Sequence, residues 1–361
     1  MRPTIAFAGG YTAGHITPAL AVIDWLRSRG SDAEFLFLGT ADAWERELVM
    51  QAGVRFVAIP SVPWAGQGMM TRVRVLGRMG PAILSARKTL RATKATALVG
   101  LGSFASFAPV IAARTLGIPV TLFEPNATVG LANRLARPFA RTLLVSKLFS
   151  EPRTRGRVVE VGVPLPRSLF ELLDAPSGPP GERVHLLVLG GSLGNMFLND
   201  RMPEVALQVQ AAVPALHVTH QCGYGVDPAP VAQRYAAAKV TAEVGAFFPS
   251  LAPRFRAANF VVSAAGAISL HELAVAGVPS LIVPLDHGGG AHQLHNAASF
   301  ARITGCPQTQ RSNWSAQKVA TEIVRTMREA DTWRERQRGM HALVDRGTAE
   351  SFAREIMVGA R

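Results

Sequence analysis

Twice in this chain the same construction appears: an uninterrupted apolar segment, a glycine-rich loop, and the start of a helix. The first copy runs from 4–8 into Gly9-Gly10-Tyr11-Thr12-Ala13-Gly14-His15, with Pro18 opening a helix over about 18–29 that Gly30 closes. The second runs from 184–189 into Gly190-Gly191-Ser192-Leu193-Gly194, with a helix from about 195. A strand that is apolar on both faces must be covered on both faces, and strands alternating with helices pair in parallel. Further strands are expected at 34–38, 55–59, 97–101, 118–123 and 142–146, then at 215–220, 241–244, 259–263 and 280–283, with helices between them. The Pro/Gly-rich stretch 174–182 reads as a linker. The fold class is therefore α/β: two doubly wound, Rossmann-like domains facing across a cleft. They occupy 1–173 and 183–345, and a last helix within 346–361 crosses back to the first.

Composition narrows the class. Apolar residues make up 48% of 361, enough for two cores, and charged residues only 17%. That excludes a disordered chain or a coiled coil. Cys222 and Cys306 fit neither a disulfide framework nor a metal-ligand spacing, which suits a reducing setting. The apolar run at the N-terminus is too short for a signal peptide. Residues 95–113 carry no charge, but Gly100, Gly102, Ser103, Ser106 and Pro109 interrupt them. A strand, a Gly/Ser loop and a helix begun near Pro109 fit better than a membrane span. Neither glycine loop has the G-x-G-x-x-G spacing, with an acid about 20 residues on, that a nicotinamide cofactor needs.

Charge is uneven. Residues 1–175 carry 21 Lys/Arg against 11 Asp/Glu, and 176–361 carry 17 against 14. No acid lies between Glu47 and Glu124. The gap holds Met69, Met70, Arg72, Arg74, Leu76, Arg78, Met79, Arg87, Lys88 and Arg91. Basic and apolar residues mixed along a helix suit an anionic membrane surface, at about 1 kcal/mol per cation near the headgroups. With 7% aromatics and no recognition motif, nucleic acid is not the partner.

Particular motifs add to this. The run Ala8 to His15 with Thr17-Pro18-Ala19-Leu20-Ala21 resembles the opening of the MurG family of peptidoglycan N-acetylglucosaminyltransferases. The resemblance continues, in family order, through Gly39-Thr40-Ala41-Asp42, Gly100-Leu101-Gly102-Ser103-Phe104, Glu124-Pro125-Asn126 and Gly130-Leu131-Ala132-Asn133. It then passes through Gly190 to Gly194 with Leu198-Asn199, Gly266 to Ala274, and Gln293 before Asn296-Ala297. It implies a GT-B fold at the cytoplasmic face of the bacterial cell membrane, with UDP-GlcNAc as donor, lipid I as acceptor, lipid II as product, and other cell-wall enzymes as partners. Residue by residue, it assigns donor contacts to Ser192, to the helix start Ala267, Ile268, Ser269, Leu270 and His271, and to Glu272 for the ribose hydroxyls. Phe248 matches the position whose backbone reads uracil, and Gln293 a contact to the GlcNAc hydroxyls. Thr12, Ala13, Gly14 and Asn126 match first-domain positions that face sugar and acceptor.

An inverting transfer needs a base for the acceptor hydroxyl. His15 is the first candidate, since an imidazole titrates near neutral pH. Glu124 is the second, as the base itself or as a group orienting His15. No Asp-x-Asp occurs in the chain, so no metal and no cofactor is expected. Several positions depart from the family pattern. Ala13 stands where a glycine is usual, crowding the loop, and Phe123 where a histidine is usual. Ala264-Ala265 replaces Arg-Ser, and Trp64 to Gly68 lacks its charges. Val163 to Pro166 lacks a diphosphate-binding arginine, for which the adjacent Arg167 is the substitute. Two alternatives remain open at this point: a related transferase with another donor or acceptor, or an inactive membrane-associated relative.

Overall fold

The computed structural model describes every residue except 1, 61–68, 152, 153, 155, 175–177, 180, 182, 183, 286–290 and 361. The side chains of 69–78, 291, 359 and 360 lie outside the description as well. The chain divides into two units, Met1–Pro166 with Asp345–Arg361, and Arg167–Val344.

Among the described residues the first unit is a seven-stranded sheet with its helices. Its elements are β1 Thr4–Ala8, α1 Thr17–Ser28, β2 Glu34–Gly39, α2 Ala43–Gln51, β3 Arg55–Ala58, α3 Met69–Ala92 and β4 Ala97–Gly100. They continue with α4 Ser103–Thr115, β5 Val120–Glu124, α5 Leu131–Ala136, β6 Thr142–Val145 and β7 Arg157–Glu160. The strands pair in parallel in the order β3-β2-β1-β4-β5-β6-β7, with Ala6 of β1 opposite Leu36 on one side and Leu98 on the other. All of β1, β4 and β5 is buried, as their continuous apolar runs require.

The second unit begins with α6 Arg167–Phe170, then β8 Val184–Leu189, α7 Met196–Ala212, β9 Leu216–Gln221, α8 Ala229–Ala237 and β10 Thr241–Gly245. It goes on through α9 Ala252–Ala257, β11 Phe260–Ala264, α10 Ala267–Ala276, β12 Ser280–Val283, α11 Ala291–Thr304, α12 Ala316–Arg328 and α13 Ala330–His341. Its five strands are again parallel, in the order β10-β9-β8-β11-β12. The last helix, α14 (Thr348–Ala360), returns to the first unit. There Phe352 is fully buried edge-on to Phe123, ring centroids 5.1 Å apart, and Glu355 pairs with Arg157 of β7.

Three expectations are corrected. The boundary between the units lies at Pro166/Arg167 rather than in 174–182, because Leu169 and Leu172 are already buried in the second unit, where α6 packs on α10. Helix α4 starts at Ser103, not near Pro109: Gly102 takes φ +85°, turns the chain at once, and leaves Pro109 inside the helix. The short, half-exposed strand β7 was not anticipated at all.

In each unit the strand order reverses beside the first strand, between β1 and β4 and between β8 and β11. Connections leave in opposite directions there and open a crevice at the carboxyl ends of the strands, the position where open α/β sheets bind ligands.

Candidate active site at the two strand-order reversals

The first unit's reversal brings together the loops after β1, β4 and β5. After β1 the chain passes through Tyr11 at φ +69°, a conformation costly for an aromatic residue, and makes a short 3-10 turn, Ala13–His15. His15 Nδ1 lies 2.9 Å from the Gly10 carbonyl oxygen and 2.9 Å from Thr12 Oγ1. A carbonyl oxygen can only accept, so Nδ1 carries the proton and, in the neutral ring, Nε2 is the basic nitrogen. The end of β4 adjoins this ring: a Cβ on Gly102 would lie in ordinary contact, 3.6 Å from His15 Nε2 and 3.5 Å from Asn133 Nδ2, and it is the φ of +85° that asks for glycine there. The left-handed residue of the loop is Tyr11, so Ala13 stands at a position that does not require glycine for its backbone conformation.

A residue that sequence reasoning passed over holds this loop. Glu45, fully buried on α2, accepts the Tyr11 N–H through Oε1 and, at 2.9 Å, the Thr40 N–H through Oε2. Its only sequence signal was its place in the first turn after the motif Gly39 to Asp42.

Glu124 ends β5 and is 2% exposed. Its Oε1 accepts Asn126 N–H (3.1 Å) and Asn126 Nδ2 (2.6 Å), and its Oε2 accepts Gly130 N–H (2.8 Å) and Asn133 Nδ2 (3.0 Å). Burial pushes this carboxyl above the usual range, and the hydrogen bonds from Gly130, Asn126 and Asn133 pull it back only in part. With two donors on each oxygen it organises Asn126 and the loop to α5. It is not the group on Nδ1 of His15, whose partners there are Gly10 O and Thr12 Oγ1. Asn133 also donates to the Phe123 carbonyl (2.8 Å), which leaves its buried Oδ1 without a protein partner, an acceptor for a ligand or water.

In the second unit the reversal joins the loops after β8, β9, β11 and β12. Gly266 precedes α10 with no side-chain cap, so the first-turn N–H groups of Ala267, Ile268 and Ser269 form an anion-binding end. Ala267 and Ile268 are buried and offer backbone only. Leu270 and His271 are turned away from the loop: Leu270 is fully buried, and His271 Nδ1 donates to the Ala267 carbonyl at 2.8 Å. Glu272, half-buried on the next turn, has its carboxyl pushed up to about 7 by burial.

Gln293 on α11 accepts Ala265 N–H (3.2 Å) and Leu285 N–H (3.1 Å) on Oε1, which fixes its amide and leaves Nε2 as the outward donor. Gln221 at the end of β9, also missed from sequence, bridges two loops: Nε2 donates to Gly191 O (3.4 Å) and Oε1 accepts Phe248 N–H (3.0 Å). The N–H of Phe248 is thus committed to Gln221, which leaves its carbonyl as the backbone group for a ligand, and its ring lies under the Arg254 guanidinium at 3.9 Å. Ser192 is held by Tyr224 N–H on its carbonyl (2.8 Å). Arg167 is exposed at the first position of α6.

Of the basic helix, α3 carries Met69, Met70, Arg72, Arg74, Leu76 and Arg78 on its backbone, but their side chains lie outside the described residues. The loop 64–68 lies outside them too. Met79 packs on the core of the first unit rather than facing outward, and Arg87 is tied to Thr115. Lys88 and Arg91 are exposed. Among the described residues no helix is long and apolar enough to cross a membrane, and no cluster of three His, Cys, Asp or Glu is placed to hold a metal ion.

Two doubly wound units, each with a phosphate-suited helix end or a polar loop at its reversal, define the class: a GT-B glycosyltransferase. The glycosyltransferase family 28 N-terminal domain matches residues 5–145, and the family 28 C-terminal domain matches 185–355. The chain is 37% identical over 302 residues to the UDP-N-acetylglucosamine–N-acetylmuramyl-(pentapeptide) pyrophosphoryl-undecaprenol N-acetylglucosamine transferase of Aeromonas hydrophila, covering 83% of this chain and 81% of that one. It is 38% identical over 303 residues to the same-named enzyme of Pseudomonas putida, covering 83% and 82%. A crystal structure of Acinetobacter baumannii MurG superposes with TM-score 0.76 at 25% identity, covering 99% of this chain and all of that one. The chain belongs to this MurG family of N-acetylglucosaminyltransferases.

Proposed function

We propose that the protein transfers GlcNAc from UDP-GlcNAc, with inversion and without a metal ion, to the 4-hydroxyl of the MurNAc-pentapeptide on undecaprenyl-linked lipid I, giving lipid II. The observation that carries this reading is the identity with the named transferases over 302 residues, longer than either unit alone, so that it takes in parts of both units.

The chemistry follows from the site. His15, held with its proton on Nδ1, takes the acceptor's 4-hydroxyl proton on Nε2. The hydroxyl oxygen bonds to the anomeric carbon as the bond from that carbon to the diphosphate breaks, and UDP leaves with the electron pair. The charge developing on UDP is met by the first-turn N–H groups of α10 and by the positive end of that helix, the role a cation has in other transferases. Glu272 accepts the ribose hydroxyls, Gln293 donates through Nε2 to a GlcNAc oxygen, and Phe248 offers uracil its carbonyl. Asn133 Oδ1, beside Gly102, supplies a buried acceptor for a hydroxyl on the acceptor side.

The acceptor is lipid-linked, so the protein works as a peripheral enzyme at the cytoplasmic face of the cell membrane, with α3 toward the anionic surface and other cell-wall enzymes as neighbours. Incubation with UDP-GlcNAc and a short-chain lipid I analogue, read by mass spectrometry in the presence of EDTA, tests the whole reading. A product heavier by one GlcNAc is expected. Bound UDP-GlcNAc without product would point to another acceptor, and product only after Mg²⁺ is restored would overturn the metal-independent step.

A further inference from the structure

Gly10 C=O and Tyr11 N–H are the two ends of one peptide group. Its oxygen accepts His15 Nδ1–H at 2.9 Å, and its N–H is donated to the carboxylate of Glu45. The carboxylate lies flat against Gly10, where a Cβ would be 2.9 Å from either oxygen, so no side chain fits at this position. Its second oxygen is occupied by Thr40 N–H, which leaves Glu45 one geometry.

We infer that Glu45 is a positioning residue for the base: a buried carboxylate that acts on His15 through the Gly10–Tyr11 peptide. The inference rests on the reading of His15 as base. Hydrogen bonds in series polarise one another, so the carboxylate makes the Gly10 oxygen a stronger acceptor. A stronger acceptor holds Nδ1–H, fixes the tautomer, and favours the imidazolium that forms when Nε2 takes the acceptor proton. The arrangement does for His15 what a directly bonded aspartate does for the histidine of a hydrolase triad, with a peptide group interposed. The anchor also holds Tyr11 in its left-handed conformation, which sets where the turn to His15 begins. Among the described residues, ionisable groups backing this loop include Glu45 of α2 and, across Gly102 and Asn133, Glu124 of β5, whose oxygens are engaged elsewhere.

The substitution Glu45→Gln keeps the shape but turns one acceptor into a donor that faces a backbone N–H. Expected are a roughly tenfold fall in kcat, a UDP-GlcNAc KM unchanged within about twofold, and an acid limb of the kcat–pH profile moved down by about one unit. In a His15→Ala background the same change should cost nothing further. A loss that adds in that background, or a fall in kcat with the acid limb unmoved, would reduce Glu45 to a merely structural group. A measurement on the unaltered protein does not depend on turnover or on how the variant folds. In ¹⁵N-histidine NMR, the His15 signal, identified by its loss in His15→Gln, should show the Nδ1–H tautomer at neutral pH. The Nε2–H tautomer would overturn the relay even if transfer activity is confirmed. Absence of transfer with the Nδ1–H tautomer present would sink the function and leave the relay geometry standing.

Discussion

Glu272 should release a proton when the donor nucleotide binds. Burial disfavours the charged form of its carboxyl, half-buried on α10, and pushes its pKa up to about 7. Two ribose hydroxyls donating to both carboxyl oxygens favour the carboxylate over the neutral acid, so binding should draw it back toward the ordinary range near 4.5. At pH 7 about half of the free protein is protonated there, so UDP should displace about 0.5 proton per site, rising to about 0.9 at pH 6 and falling to about 0.1 at pH 8. The apparent Kd should accordingly rise about fivefold between pH 7 and pH 6. Calorimetric titration with UDP in two buffers of different ionisation enthalpy reads the proton count directly, and Glu272→Gln should bring it to zero. The sign for stability runs the other way: the folded state holds this proton more tightly than the unfolded chain. Without ligand, the second unit therefore loses stability as pH rises from about 4.5 through 7. Proton uptake on UDP binding, or no linked proton between pH 6 and 7, would refute the assignment of Glu272 to the ribose.

Gln293 has two separable jobs, and two substitutions divide them. Gln293→Leu removes the acceptor for Ala265 and Leu285 N–H and should destabilise by about 2–4 kcal/mol in urea unfolding, whereas Gln293→Glu keeps that acceptor and the fold. Both should weaken UDP-GlcNAc while leaving UDP affinity within about twofold, and equal losses for the two ligands would remove Gln293 from the sugar. Phe352→Ala should cost about 3–5 kcal/mol by emptying the space beside Phe123, whereas Arg157→Gln, at the exposed end of the pair with Glu355, should cost under about 1 kcal/mol. Glu124→Gln should lower kcat while leaving the acid limb of the pH–rate profile in place; an abolished acid limb would make Glu124 the base after all.

The layout of both sheets was legible because continuous apolar strands and Gly loops leave little choice of partner. Strand order itself then follows from right-handed crossovers. What the sequence hid was the difference between a residue near the site and a residue in it. Leu270 and His271 sit inside a donor motif yet are buried, because α10 buries most of its circumference, and its first-turn N–H groups with the partly exposed side chains of Ser269 and Glu272 remain available. Glu124 looked like a base for want of its partners: only the folded loop shows four donors converging on it. Glu45 and Gln221 were invisible for the opposite reason. Each acts on backbone N–H groups far away in the chain, 34 residues in one case and 27 in the other, and no spacing rule reports such a pair. The boundary at Pro166 was missed since composition marks where a chain is loose, whereas Leu169 and Leu172 mark where the next core has begun.

The side chains that pin the loops differ in charge between the units, and the chemistry explains why. In the first unit the buried acceptors are carboxylates, Glu45 and Glu124, each taking backbone N–H groups from loops of the reversal. In the second they are carboxamides, Gln293 and Gln221, which take backbone N–H groups with no net charge. A negative charge behind the base loop favours the imidazolium that forms during transfer. Under the proposed function, the same charge behind the loops of the second unit would oppose a diphosphate at the N-terminal end of α10. Glu272, an acid on the same helix, fits the rule, since burial pushes its carboxyl up to about 7 and so weakens its negative charge near neutral pH. Exchanging the two chemistries should therefore be asymmetric. Glu45→Gln weakens the base and spares the donor, whereas Gln221→Glu keeps the acceptor for Phe248 N–H but should weaken UDP by about tenfold or more and leave the His15 acid limb unmoved. Equal UDP affinity in Gln221→Glu, measured by titration at low salt where the repulsion is least screened, would show that this division of charge has no functional content.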